Sequence, residues 1–195
     1  MLKLACSIPG EVVLACSGGK DSMAALNFLL RGKRKVKLAY FNHGTDHSAV
    51  AESFVKSVAS HHGLDLILGK YIHENILKLP SEADWRDQRY DFFRSINKTI
   101  LTAHHLNDVA EWWLFTSFRG NPKTIPIKRS DPEVIRPFIK TTQEKFHSIC
   151  RPKKWVKDPS NLNKKFSRNK IRHDIMPSVL KVNPGFLTTV RNLYD

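Results

Sequence analysis

The stretch Val12-Val13-Leu14-Ala15-Cys16-Ser17-Gly18-Gly19-Lys20-Asp21-Ser22 decides how the rest of the chain is read. Its five leading apolar residues suit a strand buried on both faces, as in the interior of a parallel sheet. From Asp21 to Arg31, residues Met23, Leu26, Leu29 and Leu30 recur at helical spacing, and Gly32 ends the pattern. A strand that turns through two glycines into a helix start makes a phosphate cradle. The first helical turn offers unpaired N–H groups and the positive end of the helix dipole. Glycine permits close backbone approach, and Ser17 and Ser22 add hydroxyl donors. Asp21 supplies a carboxylate suited to Mg2+. The spacing matches neither G-x-x-x-x-G-K-[ST] nor G-x-G-x-x-G.

The alternation continues outward. Val36 to Phe41 reads as a second strand, Ser48 to His62 as a helix, and Leu64 to Tyr71 as a third strand. Ser81-Glu82-Ala83-Asp84 has the form of a helix start, with the helix running to Ile96. Lys98 to Ala103 reads as a fourth strand, His105 to Phe118 as a helix, and Val134-Ile135-Arg136 as a short fifth strand. Thr141 is expected to cap a further helix, with Glu144 three residues on. This order predicts an α/β fold, a Rossmann-like parallel sheet of about five strands flanked by helices. Residues 1–150 are expected to form the nucleotide-binding domain. Residues 151–195 are expected to form a basic, mostly helical segment packed on it, with no separate C-terminal RNA-binding domain. Ligands of such sheets bind beyond the carboxyl ends of the strands.

Composition narrows the partners. The 195 residues are 41% hydrophobic and 10% aromatic, enough for a core, which excludes fibrous and disordered classes. Lys and Arg number 32 against 18 acids, a formal charge of +14 that predicts a polyanionic partner, nucleic acid first. Residues 151–173 alone carry nine of the cations against one acid, Asp158. No apolar run reaches the roughly 20 residues of a membrane span. The first residues are too weakly apolar for a signal peptide. Cys6, Cys16 and Cys150 are odd in number and form no C-x-x-C pair. The expectation is a reduced, cytoplasmic protein without structural zinc or a membrane partner.

The loop Ser17-Gly18-Gly19-Lys20-Asp21-Ser22 resembles the S-G-G-x-D-S pyrophosphate loop of the N-type ATP pyrophosphatases. Those enzymes cleave ATP between the α and β phosphates and adenylate a substrate oxygen. Within that group the chain resembles the tRNA(Ile)-lysidine synthases. Phe41-Asn42-His43-Gly44 is similar to their motif after the second strand. Glu82-Ala83 with Arg86, Arg89 and Tyr90 is similar to E-A-x-x-R-x-x-R-Y, and Thr102-Ala103 with His105, Asp108 and Glu111 to T-A-x-H-x-x-D-x-x-E. Arg119-Gly120 and Arg136-Pro137-Phe138 match shorter signatures. Asp158-Pro159-Ser160-Asn161, followed by Arg168-Asn169 and Arg172, resembles D-x-S-N…R-N-x-x-R.

The resemblance implies ATP and Mg2+ as cofactors, and free lysine and a tRNA(Ile) with a CAU anticodon as substrates. It implies that lysine replaces the C2 oxygen of the wobble cytidine. It places ATP on Ser17, Gly18, Gly19, Lys20, Asp21, Ser22, Asn42, His43 and Arg119, with Mg2+ on Asp21. It makes Asp21, His105, Asp108 and Glu111 catalytic. Asp108 and Glu111 are three apart on one helix face, where a carboxylate can orient or deprotonate the lysine amine. RNA contacts are expected at Arg86, Arg89, Lys164, Lys165, Arg168, Asn169 and Arg172, whether Arg89 meets RNA or is tied down internally. Two departures stand out. Asn107 occupies a position where the family often carries an acid, which puts activity in question, and Trp112-Trp113 follows Glu111 where the family usually has a small residue; both are read as core, with base stacking by Trp112 the alternative. Two alternatives stay open, a thiolating enzyme on the same loop and an RNA-binding relative without activity. A homodimer is also left open.

Overall fold

A computed structural model describes residues 2–72, 81–159 and 167–195. Lys164 and Lys165, with Ser160 and Asn161, lie outside the described residues. The elements run β1 (Glu11–Ala15), α1 (Lys20–Arg31), β2 (Lys35–Asn42), α2 (Asp46–His62), β3 (Leu66–Lys70), α3 (Glu82–Ile96), β4 (Ile100–Leu101) and α4 (Leu106–Ser117). Then follow β5 (Lys128–Arg129), β6 (Val134–Ile135), α5 (Gln143–Cys150), α6 (Ser167–Lys170), a π-helical turn (Ile171–Ile175), α7 (Met176–Val182) and α8 (Phe186–Asn192).

Among the described residues six strands lie in the order β3-β2-β1-β4-β6-β5. All neighbours pair parallel except β5, which runs antiparallel on β6. This is the expected parallel sheet, with one strand more than the sequence suggested. The chain moves one way from β1 to β2 and returns to the other side as β4. A crevice therefore opens beyond the carboxyl ends of β1 and β4, the switch point where ligands of such sheets bind.

Residues alternate faces along each strand. Val12, Leu14, Val36, Leu38, Tyr40, Leu101 and Ile135 bury one face under α1 and α2, joined by Phe146 and Cys150 of α5. Val13, Ala39, Ile100 and Val134 bury the other face against Phe93 of α3. On β3, a Cβ at Gly69 would sit 2.6 Å from the Phe92 ring of α3, so only glycine admits that close approach. A second cluster joins Leu106, Val109, Ala110 and Leu114 of α4 to Ile171, Met176, Phe186 and Val190. The basic C-terminal helices thus dock through an apolar face.

Ser81 caps α3 as expected, its Oγ accepting from Asp84 N at 3.2 Å while Asp84 Oδ2 accepts from Ser81 N at 2.8 Å. The α5 cap is Thr142, whose Oγ1 accepts from Lys145 N, and not Thr141. Thr141 is consumed one residue earlier, its N–H turning back to Phe138 O and its carbonyl accepting from Leu106 N. The fourth strand shrinks to Ile100–Leu101 within the expected Lys98 to Ala103. Of the tryptophans, Trp113 packs against the second cluster, while half-buried Trp112 lies against Phe115. Among the described residues no helix is long and apolar enough to cross a membrane.

Candidate active site at the carboxyl edge of the sheet

The loop between β1 and α1 crosses the switch point. Gly18 has φ +74°, and a Cβ there would stand 3.1 Å from Phe54 Cδ1 and 3.3 Å from Val55 Cγ2 of α2. Gly19 is extended and caps α1 through its backbone, with no side-chain cap on the helix. The first N–H groups of α1 therefore remain available to an anion. Ser22 Oγ donates to Gly19 O at 2.9 Å and lies 3.4 Å from Ser17 Oγ, which accepts from Gly19 N at 3.3 Å. Ser17 and Ser22 thus brace the turn as well as line it.

Asp21, in the first turn of α1, faces two imidazoles. His147 Nε2 lies 2.6 Å from Asp21 Oδ1, and His105 Nε2 lies 3.4 Å from the same oxygen. Burial opposes the Asp21 charge, yet His105 and His147 hold its carboxyl well below the usual range. Among the described residues, its Oδ2 has no hydrogen bond or ion pair. No cluster of three or more His, Cys, Asp or Glu encloses a cation among them. An ionised carboxylate with one free oxygen fits Mg2+, which binds through one or two carboxylates plus substrate phosphates.

His105 is fully buried and caps α4: its Nδ1 accepts from Asp108 N at 3.3 Å, while Asp108 Oδ2 accepts from His105 N at 2.9 Å. Burial disfavours the charged ring, but Asp108, Asp21 and Glu111 outweigh this and raise its pKa. Asp108 and Glu111 are both buried on α4. The π-helical turn and α6 bring two arginines onto them. Arg172 grips Glu111 at 2.7 and 2.8 Å and reaches Asp108 Oδ1 at 3.3 Å. Arg168 NH2 donates to Asp108 Oδ1 at 3.2 Å. Burial opposes the Asp108 charge, but His105, His104 and Arg168 hold its carboxyl below the usual range. A continuous line of contacts therefore runs from His147 through Asp21, His105 and Asp108 to Arg172 and Glu111. The helix widens beside Pro177, which lacks the N–H that a regular turn would bond.

Sequence reasoning assigned Arg168 and Arg172 to RNA and the acids to lysine. In the folded chain the four side chains form one group. His147 was not singled out at all. Its signal was its position on the helix face shared with buried Phe146 and Cys150. His104 was also passed over; Thr102 Oγ1 lies 2.8 Å from its Nδ1, and burial pushes it down to about 4. Asn107 Oδ1 accepts from Gln143 N, the first residue of α5, at 2.9 Å. An aspartate there would keep that bond and place a negative charge at a helix start. Asn107→Asp is therefore expected to leave the melting temperature unchanged, or to raise stability by up to about 1 kcal/mol. A fall on thermal unfolding would refute this account of position 107.

The remaining candidates divide. Asn42 spends its amide internally, donating to Glu52 Oε2 at 2.6 Å and accepting from Gly44 N at 2.8 Å. His43 packs on Phe41 and Trp85, and burial with Arg89 pushes its pKa down to about 4, so the ring is neutral. Exposed Arg86 lies over the Tyr90 ring. Burial, with the like charges of Arg86, Arg168 and Arg136, lowers the pKa of half-buried Arg89. Half-buried Asn169 sits on α6 between Arg168 and Lys170. Arg119 is not brought to this group. It follows the far end of α4, a helix about 18 Å long, and lies 4.1 Å over the Phe115 ring. The basic segment, by contrast, touches the phosphate loop directly. Val156 N donates to Gly18 O at 2.9 Å, and Lys20 Nζ lies 5.1 Å over the Trp155 ring.

The chain is 32% identical over 208 residues to the tRNA(Ile)-lysidine synthase of Thermosipho africanus, covering 95% of this chain and 48% of that protein. It is 30% identical over 199 residues to the protein of the same name from Lactococcus lactis, covering 94% and 45%. The chain thus spans about half the length of these curated relatives. An NH3-dependent NAD synthetase from Campylobacter jejuni shares the fold, with a TM-score of 0.50 at 11% identity over 95% of this chain and 84% of that one. The family profile described as PP-loop domain matches residues 4–179, a span that takes in the glycine loop, α4 and Arg172, and the chain belongs to that family.

Proposed function

We propose that the chain attaches lysine to C2 of the wobble cytidine of a tRNA(Ile) with a CAU anticodon, through an adenylated RNA intermediate. The observation that carries this reading is the shared edge, where an uncapped helix start at Gly19–Ser22 stands beside the Asp108, Glu111, Arg168 and Arg172 group. The relatives named for the same activity support it.

The C2 oxygen of cytidine leaves poorly, so ATP first transfers AMP to it and pyrophosphate departs. Fixed N–H donors at the start of α1 meet the charge that develops on the departing phosphates. Mg2+, held by Asp21 and the phosphates, would neutralise more of that charge when bound. Lysine then attacks C2, and AMP leaves with the oxygen. The amine carries a proton at pH 7, and removing it costs roughly 4–5 kcal/mol. Asp108 is held ionised by Arg168 and its histidine neighbours, so it serves better as a fixed negative partner of the ammonium than as a strong base. Arg168 and Arg172 stay partly exposed and suit a carboxylate or a phosphate.

The thiolation alternative loses support because burial raises the pKa of Cys6, Cys16 and Cys150, away from reactive thiolates. The test is direct. The chain is incubated with ATP, Mg2+, a tRNA(Ile) transcript and labelled lysine. The expected result is lysine in the RNA, dependent on ATP. RNA binding with neither pyrophosphate release nor lysine transfer would overturn the reading in favour of a binding protein.

The exposed cations Lys153, Lys154 and Lys157 continue the segment that clasps the phosphate loop. As RNA phosphate contacts, their joint replacement by alanine should flatten the slope of log affinity against log salt by about two to three units. The loss should be alike for any RNA of tRNA shape. An unchanged slope in a filter-binding salt series would make them a solvated face.

A further inference from the structure

We propose that His147 is a positioning residue for the phosphate-loop carboxylate, holding Asp21 by Oδ1 so that Oδ2 is left for the divalent cation that accompanies ATP. The inference rests on the ATP reading of the loop and adds to it a residue outside every matched motif.

The tautomers follow from the hydrogen bonds. His147 Nε2 stands 2.6 Å from a carboxylate oxygen, so that nitrogen carries a proton. His105 Nδ1 accepts from Asp108 N, so its one ring proton sits on Nε2, 3.4 Å from the same oxygen. His147 is the closer donor and makes the stronger contact. Without it, Asp21 is a short carboxylate, 40% exposed, in the first turn of a helix, with one long contact to restrain it. A ligand free to rotate must be ordered each time the cation binds.

The imidazole is itself rigidly placed. Its helix is pinned to α1 by fully buried Phe146 and Cys150. Arg31 NH1 donates to Ile149 O at 2.9 Å, and Asn27 Nδ2 donates to Arg151 O at 3.1 Å. The His147 side chain is 14% exposed. A donor fixed by packing behind a ligating carboxylate is the arrangement that outer-shell partners use to orient metal ligands, and losing one typically costs 10–100-fold in metal affinity, roughly.

The experiment measures binding of Mn2+·ATP to the whole chain by electron paramagnetic resonance, with no turnover needed. His147→Leu should weaken Mn2+·ATP binding by about 10–100-fold, while binding of ATP in excess EDTA stays at the wild-type value. His147→Gln, whose amide reaches about where Nε2 does, should recover most of the loss. Melting temperatures should match the wild type, and if His147→Leu does not fold, His147→Asn, whose amide stops short of Asp21, takes its place. Wild-type Mn2+·ATP affinity in the leucine or asparagine variant overturns the proposal alone. An equal loss of metal-free ATP binding also overturns it, because His147 would then act through the loop. Failure of the wild-type chain to bind Mn2+·ATP removes the ATP reading and this inference together.

Discussion

Replacing Arg172 by methionine is expected to lower the melting temperature by about 6–12 °C. Glu111 has a side chain only 4% exposed, and Arg172 makes its two shortest contacts. Removing one partner of a buried pair leaves a charge out of water, at a cost of about 3–5 kcal/mol. Arg168 Nε remains 3.5 Å from Glu111 Oε2, and Arg172 is one-third exposed, so the lower end applies. For a chain of this size about 3 kcal/mol corresponds to the stated shift. The double variant Glu111→Gln with Arg172→Met should recover part of the loss, since the orphaned charge is gone. Thermal unfolding followed by circular dichroism checks both. An Arg172→Met melting curve that overlays the wild type would show that the acids need no partner.

Replacing Gly18 by valine should reduce ATP consumption by at least about 100-fold, the scale of losing a fixed donor to a developing anion. Two causes act together. The backbone at φ +74° costs a non-glycine residue roughly 1–2 kcal/mol, and more for a β-branched one. The new Cβ would also press on Phe54 and Val55, which α2 holds against the loop. The turn must then move, and the α1 N–H groups with it. Gly19→Val should be the milder change, because Gly19 is extended and, among the described residues, its Cβ would meet the Ser17 hydroxyl alone, at 3.2 Å. Pyrophosphate–ATP exchange with tRNA present ranks the two. Equal rates in Gly18→Val and the wild type would remove the loop from the chemistry.

Legibility followed the range of the forces involved. β1 and α1 were readable because an uninterrupted apolar run and a 3.6-residue period are local facts. β5 was not, since Lys128-Arg129 carries no apolar pattern and exists only by pairing antiparallel with β6. The α5 cap lies one residue beyond the expected Thr141, because Thr141 and Thr142 offer the same hydroxyl. The chain still turns at Thr141, whose N–H bonds Phe138 O, so the helix begins at Gln143 and Thr142 stands at its cap. Arg119 carried a matching signature, yet α4 sets it a helix length from His105.

By itself, the sequence determined the parallel α/β sheet, the phosphate loop at the end of β1, and the two acids on one face of α4. Each of these depends on neighbours within about two helical turns. Only the tertiary structure decided that Arg168 and Arg172 meet those acids, and that His147 stands behind Asp21. These pairs lie 60 to 126 residues apart, and no periodicity states which face of one helix packs on another. The apolar faces of α5 and of the C-terminal helices made that choice by burying Phe146, Cys150, Ile171 and Met176. The charged side chains beside those residues were carried to their partners by the burial of their neighbours.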